Sequence, residues 1–388
     1  MAALLLGALG ASCNFSAARE TSEARAPSPA RKVKVDHPGL PLQKLTAHEL
    51  LRFKAGDALF DATVRESDGL GPLYVRDACA ACHAGDGRGP GLVMKAAPRN
   101  GDAALAARLL PFGSSERPYT TAGAKTALLA PRDPQLKLTP RLPPAVFGRG
   151  FLEAIADRDI ELLAELAKER SGAERGRINR LKNGAIGRFG LKARLATLHD
   201  FAADALSGDM GVSSPSKPEE PAGPEGLRDD AKPGVDFTGE QVTLLAEYVR
   251  ALQIPERPPP SEHGPRLFAA TRCSVCHVPS FTTATTFPVA ALAGVQADVY
   301  SDLLLHDLGE ALSDGLTEGS AGPREFRTAP LIGLRFLPSL MHDGRAKDVS
   351  EAIAAHGESD SEGRDSVVAF RALPEQDQRE LVKFVESL

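Results

Sequence analysis

The sequence of 388 residues contains no tryptophan, and aromatic residues make up only 5 % of it. That is a small supply of large side chains for two domains of ordinary size, which is the number that the length predicts. The apolar fraction of 42 % still excludes a disordered chain, because it provides enough buried surface to offset the entropy lost on folding.

Strong charge of either sign is also missing. The net charge is −5, which argues against nucleic acid or an anionic membrane surface as a partner. It is compatible with a basic redox protein as a partner. No stretch shows sustained alternation of apolar and polar residues, so the sequence predicts a mostly α fold.

Cysteine is scarce as well, with five residues in all, and four of them belong to one pattern that occurs twice. The two copies are Cys79-Ala80-Ala81-Cys82-His83 and Cys273-Ser274-Val275-Cys276-His277. C-x-x-C-H is the attachment site of c-type haem. The two thiols bond to the haem vinyl groups, and the histidine gives the iron its proximal nitrogen. The sequence therefore predicts two covalent haems, each of which also supplies a large apolar ring to a core poor in aromatic residues.

Two other interpretations of the repeated pattern exist. A zinc ribbon has its C-x-x-C pairs roughly 15–20 residues apart, whereas Cys79 and Cys273 lie far more distant in the chain. A redox dithiol requires a surrounding βαβ pattern, and none is recognisable. Both alternatives are weaker than haem attachment.

The fifth cysteine, Cys13, follows an apolar run that ends in small residues. This run is too short to span a bilayer and resembles a bacterial lipoprotein signal, in which Cys13 becomes the lipidated first residue. No basic residue precedes the run, and Gly10 stands where leucine is usual, so a plain secretory signal is the alternative. Either signal predicts export to the periplasm or cell envelope, with membrane contact only through the lipid.

The organisation of the rest follows from composition and repetition. Residues 1–13 are the predicted signal, and residues 14–45 are a tether rich in Ala, Ser and Pro. Residues 46–254 and 261–388 each read as helix, haem motif, irregular segment and closing amphipathic helix, separated by the proline-rich residues 255–260. This plan predicts two class I cytochrome c-like domains in tandem.

Several separated segments resemble one family. They are residues 69–73, 86–89, 186–190, 208–211, 300–309, 326–334, 340–345 and 349–356. Together they resemble the di-haem oxidoreductase family, also called predicted thiol oxidoreductases, which is related to bacterial di-haem cytochrome c peroxidases. The resemblance implies two haem domains facing a shared interface, a peroxidase-like oxidoreductase activity, a small redox protein as electron donor or acceptor, and Ca2+ between the domains.

The resemblance also implies a distal ligand for the second haem. In the peroxidases this ligand lies fourteen residues after a motif histidine, and His342 stands at that motif position here, which places His356 as the partner of His277. Met341 is the rival ligand, because thioether sulfur also suits haem iron. The alternative for His356 is a histidine at a helix end that contacts the last carbonyls.

The first haem has no such partner. The residue sixteen positions after His83, where many peroxidases have a distal histidine, is Arg99, which cannot ligate iron. An open sixth position admits peroxide, and the approximate match to the peroxidases' acid/base glutamate is Asp209. Asp209 could equally be a loop or capping residue.

The sequence thus predicts an exported oxidoreductase in which the second haem exchanges electrons with an open first haem. A non-catalytic di-haem electron carrier is the alternative. The peroxidases' tryptophan relay between the haems is missing, so either electrons pass directly through the propionates and backbone, or Tyr74, Tyr119 or a phenylalanine substitutes for it. Arg188 and Lys192 are expected either to contact haem propionates or to be solvated, and His306 to be a packed turn residue.

Overall fold

The protein is described by a computed structural model that covers residues 39–86, 91–170, 174–226, 232, 234–258 and 261–388. The predicted signal with Cys13, most of the tether and part of the proline-rich segment lie outside these residues. None of the helices formed by the described residues is long and apolar enough to cross a membrane.

The described residues form ten α-helices and eight short strands. The helices are α1 (Ala47–Asp61), α2 (Ala103–Leu109), α3 (Arg149–Ala154), α4 (Asp157–Glu169), α5 (Leu198–Ala205), α6 (Gly239–Ala251), α7 (His263–Ala270), α8 (Val349–Ala355), α9 (Arg364–Arg371) and α10 (Glu375–Glu386). The strands are β1 (Leu73–Tyr74), β2 (Val93–Pro98), β3 (Tyr119–Thr120), β4 (Leu136–Arg141), β5 (Phe281–Thr282), β6 (Gln296–Ala297), β7 (Leu305–Asp307) and β8 (Glu325–Arg327). They pair as four two-stranded antiparallel sheets, β1–β3, β2–β4, β5–β6 and β7–β8.

This combination makes the fold mixed, and the expectation of a mostly α fold needs correction. The largest sheet pairs Val93 with Arg141 and Pro98 with Leu136 across six residues of each strand. Pro140 interrupts the alternation in the β4 sequence and cannot donate a ladder hydrogen bond. The segment therefore has the composition of a loop, although Leu136, Thr139 and Arg141 are buried there.

The helix starts follow the sequence closely. Thr46 and Glu49 form a complete capping box at α1, and Thr238 and Gln241 do the same at α6, and both follow the S/T-x-x-E/Q sequence pattern of such boxes. The folded part begins earlier than Thr46, however, because the Leu42 N–H donates to the Ala251 carbonyl over 2.7 Å and Leu42 is buried.

The two helix pairs next to the haem motifs are built alike. In α1, a Cβ at Gly56 would lie 2.3 Å from the Leu244 carbonyl oxygen of α6, and in α7 one at Gly264 would lie 2.4 Å from Phe384 Cβ of α10. Glycine therefore permits the close approach of the backbone in both pairs. Phe60 packs on Tyr248 with ring centroids 5.1 Å apart, and the corresponding pair, Phe268 and Phe384, is 5.7 Å apart.

The hydrophobic core crosses the proline-rich segment. One cluster joins Leu152 and Tyr248 from before it to Leu292 and Leu304 from after it, and a smaller cluster surrounds α7 and α10. The division into domains 46–254 and 261–388 stays a prediction, since one core serves residues from both.

Candidate haem sites

The first motif forms a tight turn directly after α1. The N–H groups of Cys82 and His83 both donate to the Cys79 carbonyl, over 3.1 and 3.0 Å. The His83 ring lies beside Phe60, with ring centroids 6.0 Å apart. Burial, followed by the neighbouring Cys82, raises the pKa of Cys79 to about 12, so its thiol stays protonated at neutral pH. The turn presents two thiols and one imidazole from five consecutive residues.

The second motif forms the same turn. Cys273–Val275 is a short 3-10 turn that follows Arg272 in a left-handed conformation (φ 65°), and the His277 N–H donates to the Cys273 carbonyl over 3.0 Å. Burial raises the pKa of the Cys273 thiol. The two motifs therefore share one local geometry, which is what the repeated sequence predicts.

A cavity of about 240 Å³ lies against the second motif. Its wall contains the motif residues and three of the residues that the resemblance singled out. Those lining residues are Cys273, Cys276, His277, Met341, His342 and His356. Most of the remaining lining is apolar, including Leu331, Leu334 and Val349. The structure thus brings the predicted ligand pair, its rival Met341 and the motif histidine into one cavity.

The backbone at Tyr300 orients the His277 ring. Its Nδ1 donates to the Tyr300 carbonyl over 3.0 Å, and because a carbonyl only accepts, the proton is on Nδ1 and the lone pair on Nε2. Tyr300 and Leu303 both adopt left-handed backbone conformations (φ 50° and 62°). Burial lowers the pKa of His277 to about 4, so the ring is neutral and its Nε2 can bind a metal.

His356 has the same arrangement on the α8 side of the cavity. Its Nδ1 donates to the Ala352 carbonyl over 2.7 Å, and burial lowers its pKa. This bond to a carbonyl of the last helical turn is the contact that the helix-end interpretation predicts. It also leaves Nε2 with a free lone pair, as metal-binding histidines require. Both interpretations of His356 therefore describe one geometry.

His342 is buried in the same wall but is arranged differently. Its ring stacks on Phe326 with centroids 4.3 Å apart, and burial lowers its pKa to about 4. The neighbouring Met341 has a left-handed backbone (φ 70°), and both residues belong to the turn before α8. Stacking on Phe326 holds the His342 ring in the cavity wall.

The sequence did not identify a buried charged cluster beside Cys276. His306, in β7, contacts the Asp302 carboxylate through Nε2 at 2.9 Å and the Glu362 carboxylate through Nδ1 at 2.7 Å. Cys276 Sγ lies 3.7 Å from the same Nδ1. Burial alone would lower the pKa of His306, but Asp302 and Cys276 outweigh it and hold this pKa well above its usual value.

His306 is therefore a buried imidazolium and more than a packed turn residue. The signal was present in the sequence as Asp302 and His306 at a spacing of four, but Glu362 is distant in the chain. Among the described residues, only Cys276, Asp302 and His306 cluster as potential ligands of a metal ion. A sulfur and an imidazole do not suit Ca2+, which prefers oxygen, so the predicted Ca2+ has no site identified here and stays a prediction.

Asp209 lies close to the first motif on a five-residue π-helix, Leu206–Met210. Such helices are rare and often occur at functional sites. Its charge acts on the thiols of Cys79 and Cys82, whose pKa values it helps to raise. Burial raises the pKa of Asp209 itself, against the opposing charge of Lys95. In the described part of the chain, no donor forms a recorded hydrogen bond with its carboxylate.

Cations surround Asp209 without neutralising it directly. Lys95, Arg194 and Arg117 all act on its pKa, and Arg117 Nε donates to the neighbouring Gly208 carbonyl over 3.2 Å. Arg194 forms its ion pair with Asp204 instead. A protonatable carboxyl next to a haem motif is the arrangement that a general acid/base needs.

Arg188 and Lys192 are both engaged elsewhere and buried. Arg188 donates to the Leu152 carbonyl over 2.9 Å and pairs with Asp157 at 2.5 Å. Lys192 Nζ donates to the Gly322 and Glu325 carbonyls over 2.8 and 2.9 Å. The expectation that they are solvated is therefore wrong, and neither group points a free charge at a haem.

The other candidates near the first motif are peripheral. Arg99 is exposed and donates to the Pro134 carbonyl over 3.0 Å. Tyr74 and Tyr119 contact each other across the β1–β3 sheet, with ring centroids 5.7 Å apart. Tyr74 is half-buried and Tyr119 is exposed, so the pair lies between the core and the surface.

The residues of the second cavity fit a haem. Two thiols, two neutral imidazoles with free Nε2 atoms and an apolar lining are the donor set and surroundings that a haem with two axial histidines requires. The first motif offers two thiols and one imidazole in the same turn.

No curated protein sequence matches the chain significantly. Among solved structures, hydrazine synthase from Kuenenia stuttgartiensis, pressurised with 20 bar xenon, has a TM-score of 0.41 and 14 % sequence identity. The likeness covers 97 % of this chain and 100 % of that one.

A family model matches residues 120–388, more than half of the chain, and its description reads "di-haem oxidoreductase, putative peroxidase". The matched region contains Asp209 and the whole of the second haem site, whereas the first motif precedes it. Because this model covers more than half of the chain, the chain belongs to the di-haem oxidoreductase family.

Proposed function

We propose that this protein is an exported di-haem c-type oxidoreductase of the peroxidase type. One haem is attached at Cys79 and Cys82 with His83 as its proximal ligand. The other is attached at Cys273 and Cys276, with His277 and His356 as its two ligands. The observation that carries the proposal is the pair of neutral imidazoles whose Nε2 atoms are free in the cavity that also contains both thiols.

The attachment chemistry is redox-neutral. Each cysteine S–H adds across a vinyl double bond, so that sulfur bonds to one vinyl carbon and hydrogen to the other. The repeated pairs Gly56–Phe60 and Gly264–Phe268, each packed on its closing helix, support two halves of class I cytochrome c type. Attachment of haem to cysteine takes place outside the cytoplasm, in accord with an exported lipoprotein anchored at Cys13.

The two sites differ, and the difference assigns their roles. His277 and His356 line one cavity, and a haem held by both would have no iron position open to other ligands, which would suit it to electron transfer. His83 has Asp209 nearby as an acid/base, and no described residue stands out as a sixth ligand beside it. The second site accordingly exchanges electrons with a small redox protein and with the first site, where peroxide reacts.

The chain's own residues then handle protons and position. A bound haem supplies one-electron chemistry, and reduction of peroxide to two waters consumes two electrons and two protons. The Asp209 carboxylate takes a proton from one peroxide oxygen and returns it to the other, and its raised pKa suits this exchange. Lys95, Arg117 and Arg194 hold that carboxylate in a field of positive charge.

The visible and EPR spectra of the purified protein test this function. We expect one low-spin and one high-spin ferric haem, with the high-spin signal changing when peroxide is added. The rival function, a non-catalytic electron carrier, requires two low-spin haems that peroxide leaves unchanged, and that result would reject the proposal. A zinc or dithiol protein would show no haem absorption at all.

A further inference from the structure

Arg327 is a buried cation in the wall of the second cavity. It ends β8, its side chain lines the cavity, and the residue is only 9 % exposed. It belongs to residues 326–334, one of the segments that resemble the family, but no role for Arg327 was predicted from the sequence. Its side chain lines the same cavity as His277 and Cys276.

The hydrogen bonds of Arg327 go to the backbone. Nε donates to the Gly190 carbonyl over 3.2 Å, and one terminal nitrogen donates to the Thr328 carbonyl over 2.9 Å. Among the residues that the structure describes, no carboxylate lies within ion-pair distance of this guanidinium. Five N–H donors are available on an arginine, so donors remain that these two carbonyls do not use.

Another arginine of the same wall shows the contrast. Arg272 also lines the cavity, but it is paired with Glu174, whose oxygens lie 2.9 and 3.0 Å from its nitrogens. The charge of Arg272 is therefore cancelled locally. Asp302 is the nearest acidic group to act on Arg327 electrostatically, but its carboxylate is bonded to His306 and to the Leu304 N–H.

A buried charge without a partner is costly. Desolvation of an unpaired ion costs several kcal/mol even after relaxation, on the order of what a whole domain has to spare. Burial lowers the pKa of Arg327 to about 10, so the group remains charged at neutral pH. The cavity therefore needs an anion at this place.

We propose that Arg327 binds a propionate carboxylate of the haem attached at Cys273 and Cys276. The inference rests on the haem attachment proposed above, because that haem is the anion-bearing group for which the cavity has ligands. The planar guanidinium matches a carboxylate with two parallel hydrogen bonds. Gly190 and Thr328 hold the side chain in place from the backbone, so the guanidinium is positioned before the haem enters.

This assignment also explains why two segments of the family resemblance meet. Residues 186–190 supply the Gly190 carbonyl, residues 326–334 supply Arg327, and the Arg327 N–H donates to the Leu191 carbonyl over 2.8 Å. Lys192, one of the two residues first expected at propionates, belongs to the framework of this contact, since its Nζ binds the Glu325 carbonyl. The propionate contact itself belongs to Arg327.

The test is the midpoint potential of the second haem in Arg327→Gln, measured by spectroelectrochemistry on the full-length protein. Loss of a nearby positive charge favours ferric iron, so at a fixed applied potential we expect the ferric-to-ferrous ratio to rise about tenfold, equal to a fall of about 59 mV for one electron. The potential should also become pH-dependent, because a propionate without its guanidinium takes up a proton more readily. Arg327→Lys retains the charge and should retain most of the potential.

Arg324→Gln is the matched control, because Arg324 lies three residues away, is half-buried and pairs with Asp307 and Asp360. The midpoint potential of the second haem in Arg324→Gln should equal that of the wild type. An unchanged potential in Arg327→Gln with two haems still attached would overturn the inference while leaving the proposed function intact. A protein without covalent haem at Cys273 and Cys276 would instead overturn the proposed function.

A second measurement covers the case in which Arg327→Gln does not fold. Haem labelled with 13C in its propionates identifies their carboxylate band in redox difference infrared spectra of the wild type and of Arg327→Lys. We expect an ionised propionate in the wild type and a shifted band in Arg327→Lys, whose ammonium cannot form two parallel bonds. Identical propionate bands in the two proteins would overturn the assignment.

Discussion

At the scale of single residues, the site divides into what a local pattern predicts and what folding brings together. Within each motif, the two thiols and the imidazole come from five consecutive residues. The sequence therefore predicts that each motif presents these three groups together. His356 was found through a resemblance, and the structure places it in the cavity of His277. The contacts of His306 with Glu362 and of Arg327 with Gly190 join positions distant in the chain, and no spacing in the sequence indicates them.

His356→Ala tests the ligand pair directly. Removal of the imidazole leaves both thioether bonds untouched, so the haem content should stay at two per chain while one low-spin ferric signal becomes high-spin. EPR and the visible spectrum measure this change. His342→Ala is the control, because His342 lines the same cavity but stacks on Phe326. If His342→Ala changes the spin state and His356→Ala does not, the ligand assignment is wrong.

Asp209→Asn tests the acid/base role. General acid/base groups contribute about 10²–10⁴-fold to rate, so peroxide turnover should fall by about that factor. Because the wild-type carboxyl must be ionised to accept a proton and its pKa is raised, wild-type turnover should fall as the pH drops through a value above the ordinary range of aspartate. The variant should lose this acidic limb.

Asp200→Asn is the control for this measurement, since Asp200 is exposed and its carboxylate accepts a hydrogen bond from the N-cap Thr197 at the start of α5, the helix that leads into the π-helix. It should keep both the rate and the pH profile. Equal turnover in Asp209→Asn and the wild type would remove Asp209 from the mechanism.

His306→Gln tests the buried cluster through stability. The substitution leaves Asp302 and Glu362 facing each other without a cation, so the free energy of unfolding should fall by about 3–5 kcal/mol. The folded pKa of His306 is raised, so its stabilisation is complete below the unfolded value of about 6.5 and is lost as the pH rises through the folded pKa. Denaturant unfolding measured from pH 6 upward reports both effects.

The exposed His263, which pairs with Asp377 at 3.0 Å, provides the comparison. His263→Gln should cost less than about 1 kcal/mol, because exposed ion pairs contribute little. A cost for His306→Gln no larger than this would mean that the buried cluster does not stabilise the fold.

At the scale of elements, capping residues and helix faces were predictable, and the strands were not. Thr46 and Thr238 located two helix starts, because a capping box is a local pattern. At Ile155 the backbone becomes extended and separates α3 from α4. The β2–β4 sheet depends on pairing between segments about forty residues apart, which composition alone does not reveal.

Gly264→Ala tests the close crossing of α7 and α10. The added methyl would meet Phe384 Cβ at 2.4 Å, so one helix must move and the free energy of unfolding should fall by about 1–3 kcal/mol. Thermal unfolding of the haem-loaded protein measures this. Gly239→Ala, at the start of α6, where the nearest atom is 3.9 Å away, should be neutral or stabilising. If both variants unfold alike, the crossing tolerates a side chain and glycine is not required there.

At the scale of the whole molecule, charged groups join the parts before and after the proline-rich segment. Arg141 of β4 pairs with both Asp314 and Glu318, and the buried Lys192 lies 3.2 Å from Asp314. The common hydrophobic core crosses the same boundary. The repeat in the sequence predicted two halves, but it did not reveal how much buried surface and charge they share.

This shared interior predicts a single unfolding transition. Haem absorbance near the Soret band and far-UV circular dichroism should change at the same temperature, as two-state unfolding requires. Asp314→Asn leaves Arg141 and Lys192 short of a buried anion and should lower the free energy of unfolding by about 3–5 kcal/mol without separating the transitions. Asp298→Asn, which affects the outer pair with Arg257 and the hydrogen bond from Gln296, is the control. Two well-separated wild-type transitions would show that the halves unfold independently.

The acceptors that orient His277 and His356 are both main-chain carbonyls, those of Tyr300 and Ala352. Every amino acid carries this group, so substitutions at these two positions change the packing but leave the acceptor in place. The aim of each imidazole is thus inherited with the backbone path. Relatives can diverge in the sequence of α8 and of the segment around Tyr300, and designers can recode both, while each imidazole keeps its Nε2 free to bind a metal.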